Sequence, residues 1–354
     1  MMLPISVCLI AKNEEQHIEE CLKRLKPYHY EIVLVDTGST DATLEIAAKY
    51  TDRIYHVDWI NDFSAARNEA VRQASNDWIL SIDCDEYLEC IDEKELSLLM
   101  QKYPEGAGRI LLRNRFRQDG QPAIEIVRLC RFFNRRCYHF AGAVHEQVTR
   151  KTAASSIHTF AAPITALHVG YDGSEEKMRE KALRNITLLK QMLATSGPDA
   201  YLYYQLGQSC MRLKDYDSAY EWFNRGLSMH IDPGEDYVQN MVEAYGYCLL
   251  DMKRFQEALQ LENIYDTFAV RADFVFLMGL IYMNNALFAE AVEAFEKSAS
   301  MEQFSVEGVN SYRAYYNIGV IYECTGHLEE AVKYYRMCGD FEMAKARLAA
   351  IAGK

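Results

Sequence analysis

A repeated spacing of small residues dominates the second half of the chain. Four glycines are each followed twelve residues later by an alanine: Gly207 and Ala219, Gly246 and Ala258, Gly279 and Ala291, Gly319 and Ala331. Successive glycines are 39, 33 and 40 residues apart. Self-similarity at such a period predicts stacked helix-turn-helix units, in which small residues let paired helices approach closely. The second half is therefore predicted to be an all-α solenoid.

The aligned units resemble a known repeat. Aromatic residues fall four positions after three of the alanines, at Phe223, Phe295 and Tyr335. This pattern is similar to the tetratricopeptide repeat, a helix pair of about 34 residues. The unit around Gly246 is degenerate. The resemblance implies a face that holds a peptide or joins subunits, so the repeats are a candidate homodimer surface. The alternative is that they only support the first domain.

In the first half, four apolar runs each end in polar residues: 4–10, 31–35, 53–57 and 78–82. The first three runs are followed by segments of helical pattern, and successive strand-helix units imply a parallel sheet. In open α/β sheets, ligands bind at the carboxyl ends of the strands. The first half is therefore predicted to be an α/β domain with a ligand site at that edge.

The fourth run ends in a cluster of acids. Asp83 and Asp85 are separated by one residue, so both can turn toward the same point where the strand opens into a loop. Carboxylate oxygens there suit Mg2+ or Mn2+. A solvated acidic turn is the alternative for an isolated pair, but the convergence of four polar strand ends favours a binding site.

The strand ends carry motifs that resemble family 2 glycosyltransferases of the GT-A fold. These motifs are CLIAKNEE at 8–15, VDTGSTD at 35–41, FSAARN at 63–68 and DCDE at 83–86. They occur in the family's order between residues 1 and about 170. The resemblance implies inverting transfer from a nucleotide-sugar donor, for which UDP-sugars are expected, with a divalent metal. The implied acceptor is a peptide or protein, as in peptide glycosyltransferases with similar repeats, or a cell-envelope saccharide.

The resemblance also implies roles for individual residues. Those expected to border the donor nucleotide are Ala11, Asn13, Glu14, Asp36, Arg67, Asn68 and Asp83. Asp36 is expected to accept a hydrogen bond from the base. Asp85 is the expected direct metal ligand, with Asp83 beside it at the ribose or at metal-bound water. His168, at the end of a later apolar run, is expected to complete the metal shell or touch the diphosphate.

Inverting transfer also needs a base to take the proton from the acceptor. The segment 138–147 supplies a His-Glu pair in an apolar loop that contains glycine. Glu146 is the predicted base, with His145 orienting it or contacting phosphate. Two alternatives stay open, because the histidines could be core residues and adjacent strand residues point to opposite faces. This segment departs from the commonest pattern of the family.

Composition argues against nucleic acid as a partner and indicates the cellular compartment of the protein. The net charge of -13 and the pI near 5.3 argue against a nucleic-acid binder, although basic clusters occur at 109–117 and 128–136. Ten cysteines without a C-x-x-C pair predict reduced thiols in a cytoplasmic protein. No segment reaches the ~18 apolar residues of a transmembrane helix. Peripheral attachment to a membrane stays open.

The predicted domains are a GT-A domain at 1–172, a connecting helix at 173–197 and four repeats at 198–354. Two rival functions remain. A nucleotidyltransferase would need a glycine-rich basic loop after the first strand, and residues 11–14 supply none. A repeat scaffold with a catalytically silent sugar-nucleotide domain would bind the donor without turnover.

Overall fold

The computed structural model describes residues 3–118, 121–152, 158–170 and 175–353. The chain divides into two compact units, Met1–Glu175 and Glu176–Lys354. The predicted boundary at residues 172 and 173 lies outside the described residues.

The N-terminal unit combines strands and helices. Its strands are β1 (Ile5–Ala11), β2 (Glu31–Asp36), β3 (Ile54–His56), β4 (Trp78–Ser81), β5 (Glu86–Ile91), β6 (Ala107–Gln118), β7 (Gln121–Asn134), β8 (Tyr138–Ala141), β9 (Gln147–Arg150) and β10 (Thr159–His168). Its helices are α1 (Ile18–Leu25), α2 (Thr43–Ala47), α3 (Phe63–Gln73) and α4 (Glu93–Lys102), with a 3-10 turn at Lys26–Tyr28.

The main sheet has the strand order β3-β2-β1-β4-β7-β6-β10-β5, and β8 pairs with β9 in a separate hairpin. The first four strands in this order are parallel, which confirms the predicted sheet. Strand β7 runs antiparallel to β4 and β6, and β5 runs antiparallel to β10. The carboxyl ends of β1 to β4 therefore lie at one edge, together with the polar residues that follow them.

Helices cover both faces of this sheet. Helix α1 buries Ile18, Leu22 and Leu25 in a core that contains Leu9 of β1. Helix α3 buries Val71 with the opposite face. Strands covered on both faces are apolar along their whole length, which is why the runs lack alternation.

The helix after β2 is short, and the helix after β3 begins at a side-chain cap. Helix α2 spans only Thr43–Ala47. Asp62 is the cap of α3: its carboxylate accepts a hydrogen bond from the Ala65 backbone N–H at 3.0 Å. The Ser64 hydroxyl also donates to the Asp62 carboxylate, at 2.7 Å. The start of α3 is thus fixed one helical turn before Arg67.

The C-terminal unit is helical. It comprises α5 (Glu175–Ser196), α6 (Ala200–Arg212), α7 (Tyr216–Leu227), α8 (Asp236–Asp251), α9 (Phe255–Ala258), α10 (Tyr265–Phe268), α11 (Ala272–Asn284), α12 (Phe288–Ala299), α13 (Tyr312–Cys324), α14 (Leu328–Met337) and α15 (Glu342–Ala352), with a 3-10 helix at Leu259–Ile264.

The repeated glycines lie where paired helices touch. A Cβ atom on Gly207 would lie 2.3 Å from the ring of Phe223, so no larger residue fits between α6 and α7. The unit around Gly246 lacks this pairing, because Glu262 stands where the others have an aromatic residue. In that unit the second helix is replaced by the short α9 and the 3-10 helix, and Gly246 faces Leu277. The unit around Gly246 thus differs from the others both at this position and in its second helix.

Candidate active site

The loops after β1 and β2 are joined by hydrogen bonds. The backbone N–H of Asn13 donates to the Ser39 hydroxyl at 3.0 Å, and that of Glu14 donates to the Thr43 hydroxyl at 2.7 Å. The Asn13 side chain accepts from the Thr40 backbone N–H at 2.8 Å, and Asn13 has a φ of 57°. Asn13 and Glu14 therefore lie at the predicted edge of the sheet, where their hydrogen bonds join the two loops.

Asp36 closes the turn that follows β2. Its buried carboxylate accepts from the Gly38 backbone N–H at 3.0 Å and lies 2.9 Å from His56 Nδ1. The Ala11 carbonyl accepts from the Thr37 backbone N–H at 2.9 Å. The structure thus directs the Asp36 carboxylate into its own turn and toward His56. Contacts of Asp36 and Ala11 with a nucleoside stay a prediction.

Five charged side chains alternate in sign across the sheet edge, in the order Glu86, Arg131, Asp83, Arg67 and Glu146. Arg67 donates through Nη2 to Asp83 at 2.7 Å and through Nε to Glu146. Arg131 Nη2 lies 3.4 Å from Asp83 and 3.6 Å from Glu86. We call this set the charged chain. It links strands β5 and β7, the end of β4, helix α3 and the loop before β9.

Burial makes the pairing of the charged chain essential. The side chain of Arg67 is 5% exposed and that of Glu86 is 2% exposed. Although burial alone raises the pKa of Asp83, the guanidinium groups of Arg67 and Arg131 hold that pKa well below its ordinary value. For Glu86, burial and then the Asp83 charge raise the pKa, while Arg131 opposes them. Asp83 is therefore the anion that both arginines stabilise.

Glu86 is a residue of this site for which sequence reasoning predicted no role. One of its carboxylate oxygens accepts from the Asp83 backbone N–H at 2.9 Å, and the other faces Arg131. Glu86 also lies opposite His168 in the pairing of β5 with β10. It thus fixes the loop that carries Asp85. The available signal was a third carboxylate directly after Asp85.

Asp85 and His168 meet, as the sequence predicts. His168 Nε2 lies 3.3 Å from the Asp85 carboxylate, and His168 Nδ1 lies 3.0 Å from the Asn114 side-chain oxygen. A Cβ atom on Gly170 would lie 2.0 Å from the Asp85 carboxylate and 2.7 Å from His168 Nε2. Asn114 and Gly170, which sequence reasoning missed, therefore orient the imidazole and leave room beside the carboxylate.

These donors fit a divalent metal in part. A carboxylate oxygen and an imidazole nitrogen with a fixed ring suit Mn2+, and the carboxylate also suits Mg2+. Within the described residues, no three His, Cys, Asp or Glu side chains are grouped so as to hold a metal. Asp83, predicted as a further ligand, faces the two arginines instead. A metal at Asp85 and His168 would take the rest of its ligands from substrate and water.

Glu146 lies at the other end of the charged chain. The loop that carries it is fixed by a hydrogen bond of 2.8 Å from the Phe63 backbone N–H to the Ala143 carbonyl. His145 has a φ of 52°, a conformation that turns the chain sharply before Glu146. The partner that orients the Glu146 carboxylate is Arg67, whereas the sequence assigned this task to His145.

Asn68 holds the hairpin and does not face the charged chain. Its side-chain amide donates to the Phe140 carbonyl at 2.8 Å and accepts from the Phe140 backbone N–H at 2.9 Å. Adjacent helix residues point in different directions, so Arg67 and Asn68 serve different faces of α3. The contacts that the structure shows for the Asn68 amide join β8 to α3, and its contact with a nucleotide stays a prediction.

Family comparisons agree with this geometry. Residues 6–147 match the family described as glycosyl transferase family 2. Residues 200–229, 272–304 and 312–338 match the tetratricopeptide repeat, so the degenerate unit around Gly246 is not among the matched ranges. No helix within the described ranges is long and apolar enough to cross a membrane.

The chain is similar to three proteins with different descriptions. A TPR repeat-containing protein of Synechococcus elongatus is 33% identical over 233 residues, which cover 64% of this chain and 57% of that protein. The SPbeta prophage-derived glycosyltransferase SunS of Bacillus subtilis is 25% identical over 229 residues, 64% of this chain and 54% of SunS. The lipopolysaccharide core biosynthesis glycosyltransferase LpsC of Rhizobium meliloti is 35% identical over 92 residues, 25% of this chain and 33% of LpsC.

The chain spans little more than half the length of the first two of these relatives. Its matched segments nevertheless contain the sheet edge, the charged chain up to Glu146 and three of the helical repeats. The chain is therefore similar to glycosyl transferase family 2 over residues 6–147 and to the tetratricopeptide repeat over three segments that follow.

Proposed function

We propose that this protein is an inverting glycosyltransferase that moves a sugar from a UDP-sugar to an acceptor, with Mg2+ or Mn2+ held by Asp85 and His168. One observation carries the proposal. The Asp85 carboxylate and the His168 imidazole lie 3.3 Å apart, and His168 is opposite Glu86, the first member of the charged chain that leads to Glu146. Asp85 and His168 can thus act on the leaving group, and Glu146 can act on the acceptor from the other end of the charged chain.

Charge balance supports the need for a metal. The carboxylates of the site are Asp83, Asp85, Glu86 and Glu146, and its guanidinium groups are Arg67 and Arg131. The positive charges of two arginines do not balance the negative charges of these acids. A diphosphate that entered without a metal would therefore be repelled by the site. When bound, a dication neutralises the negative charge that develops on the departing diphosphate.

Glu146 is the proposed general base. Its Oε1 accepts from Arg67 Nε, and Oε2 is the oxygen that would take the proton from the acceptor hydroxyl or thiol. Arg67 keeps the carboxylate in one orientation, which a base needs in order to act along the line of attack. Because Arg67 also binds Asp83, the position of the base is coupled to the loop that carries Asp85.

A peptide or protein is the first candidate acceptor. The helical repeats support it, since such arrays bind extended chains or dock subunits, and self-association through them is part of the proposal. A cell-envelope saccharide is the second candidate, favoured by the similarity to LpsC. We place the enzyme in the cytoplasm, because all ten cysteines are free.

A donor panel tests the proposal. The wild-type chain and Glu146→Gln are incubated with a set of nucleotide sugars and Mn2+, and released nucleoside diphosphate is measured. We expect one or more UDP-sugars to be turned over, EDTA to stop turnover, and Glu146→Gln to lose about 10²–10⁴-fold in rate. Glu105→Gln, on an exposed carboxylate paired with Arg150, is the control and should keep the wild-type rate. Donor binding without turnover of any sugar would favour the silent scaffold.

Gly170→Ala is expected to damage the proposed metal site while leaving the fold intact. The new methyl group would overlap the end of the Asp85 side chain, which can rotate away at little cost in stability. Rotation would remove the carboxylate from His168, so we expect Mn2+ affinity, measured by calorimetry, to fall at least about tenfold with a near-normal melting temperature. Unchanged Mn2+ affinity would show that the metal does not bind beside Gly170.

A further inference from the structure

A basic cleft of about 730 Å³ lies on the N-terminal unit and shares no lining residue with the charged chain. Arg72, Arg135, Arg136 and Lys151 line it, with Asp77 as the acid among its lining residues. A concentration of four cations is unusual in a chain whose net charge is -13. Arg135 and Arg136 belong to the basic cluster at 128–136, which the proposed function does not use.

Arg135 lines the cleft, and backbone carbonyl groups hold its side chain in place. Arg135 donates to the Val71 carbonyl at 3.2 Å and to the Ala74 carbonyl, at the end of α3. Carbonyl groups fix its orientation, but they do not cancel its charge. Its nearest acid, Asp77, lies 3.7 Å away and is shared with Arg136, which binds Asp77 at 2.7 Å. One carboxylate therefore serves two guanidinium groups.

Several N–H groups on the residues that line the cleft are not used in hydrogen bonds within the described part of the chain. Arg136 binds Asp77 through Nη2, and its Nε and Nη1 have no partner within the described part of the chain; its side chain is 76% exposed. Lys151 Nζ donates to the Arg135 carbonyl at 2.7 Å, which uses one of its three N–H groups. Arg72 binds Glu69 through Nε and Nη2 and keeps Nη1.

A buried imidazole atom adds an independent observation. His139 lines the same cleft, and its Nδ1 is buried with no hydrogen-bond partner among the described residues. A buried polar atom without a hydrogen-bond partner destabilises the folded state, so its presence needs an explanation. An acceptor oxygen that enters the cleft would supply the missing partner after a small movement of the ring.

We propose that this cleft binds a phosphate group. Its donors come from α3, from the turn after β7 and from the segment after β9, and the tetrahedral oxygens of a phosphate can accept from arginine and lysine at the same time. The phosphate could be carried by a soluble metabolite or by the headgroup of an anionic phospholipid. The chemistry recognised by the cleft is the same in both cases.

Calorimetry with inorganic phosphate in the presence of EDTA tests the site on the full chain. We expect Arg136→Ala and Lys151→Ala each to weaken binding about tenfold, as the loss of one charge-assisted hydrogen bond predicts. Lys23→Ala, on an exposed lysine paired with Glu19, is the control and should leave binding unchanged. Melting temperatures establish that each variant is folded. Absence of phosphate binding, or equal affinity in all four proteins, would overturn the proposal.

Vesicle sedimentation identifies the source of the phosphate. Binding to phosphatidylglycerol vesicles, but not to phosphatidylcholine vesicles, that is lost in Arg136→Ala would support a lipid headgroup. Phosphate binding by calorimetry without vesicle binding would support a soluble ligand. Vesicle binding that survives both Arg136→Ala and Lys151→Ala would contradict a role of the cleft at membranes.

Discussion

Arg67→Met is expected to lower the free energy of unfolding of the N-terminal unit by about 3–5 kcal/mol, the range for removing one partner of a buried ion pair. Arg67 is 5% exposed and binds both Asp83 and Glu146. Methionine fills similar volume but leaves Glu146 without its partner and Asp83 with Arg131 alone. Urea unfolding measures the loss. In a Trp222→Phe background the remaining tryptophans, Trp59 and Trp78, both report on this unit.

Two further variants separate lost charge pairing from lost packing. Arg72→Met, on an exposed arginine of the same helix paired with Glu69, should leave the free energy of unfolding close to that of the wild type, because solvent screens the pair. Adding Glu146→Gln to Arg67→Met removes the orphaned charge, so the double variant should be more stable than the sum of the single changes by about 0.5–3 kcal/mol. Strict additivity of the two changes would mean that Arg67 and Glu146 are not coupled.

The sequence was sufficient to predict the parallel strands and the sheet edge at which their polar loops lie. Uniformly apolar strands followed by polar loops have few other solutions, and β1 to β4 lie side by side as expected. The family resemblance implied that Asp85 and His168 serve one metal, and their side chains lie 3.3 Å apart. The prediction of the sheet depends on where strands end, which is encoded locally in the sequence.

The partners of the charged side chains could not be predicted. Arg67 and Glu146 are 79 residues apart in sequence, and their contact depends on how a loop folds back over α3. Asn68 follows Arg67 directly, yet it serves the hairpin, because one step along a helix changes the direction of the side chain by about 100°. The order of the motifs therefore predicted which strand ends carry the candidate site. Which partner each side chain of a motif contacts could be learned only from the structure.

The same reasoning changes the roles of the two aspartates. The sequence placed Asp83 and Asp85 together at the metal, but both oxygens of Asp83 face arginines. Asp83 thus holds the two arginines in place, and Asp85 is the carboxylate directed to His168. Variants of the two residues should therefore fail differently: Asp83 variants in stability, Asp85 variants in metal binding and turnover.

Asp85→Asn is expected to reduce turnover of the donor at least about a thousandfold, which corresponds to about 4 kcal/mol in the transition state. The amide keeps the shape of the side chain but is a far weaker ligand for a dication. Asp85 lies outside the charged chain, so the variant should unfold at nearly the wild-type temperature. Steady-state release of nucleoside diphosphate and Mn2+ titration by calorimetry provide the two measurements.

The control must share the chemistry of Asp85 without its position. Asp58 is an exposed aspartate that follows β3, and Asp58→Asn should keep the wild-type rate and Mn2+ affinity. The wild type in EDTA should fall to the rate of Asp85→Asn in Mn2+, because both lack the same neutralising charge. If EDTA leaves the wild-type rate unchanged while Asp85→Asn is inactive, Asp85 acts directly on the substrate and the metal is not required.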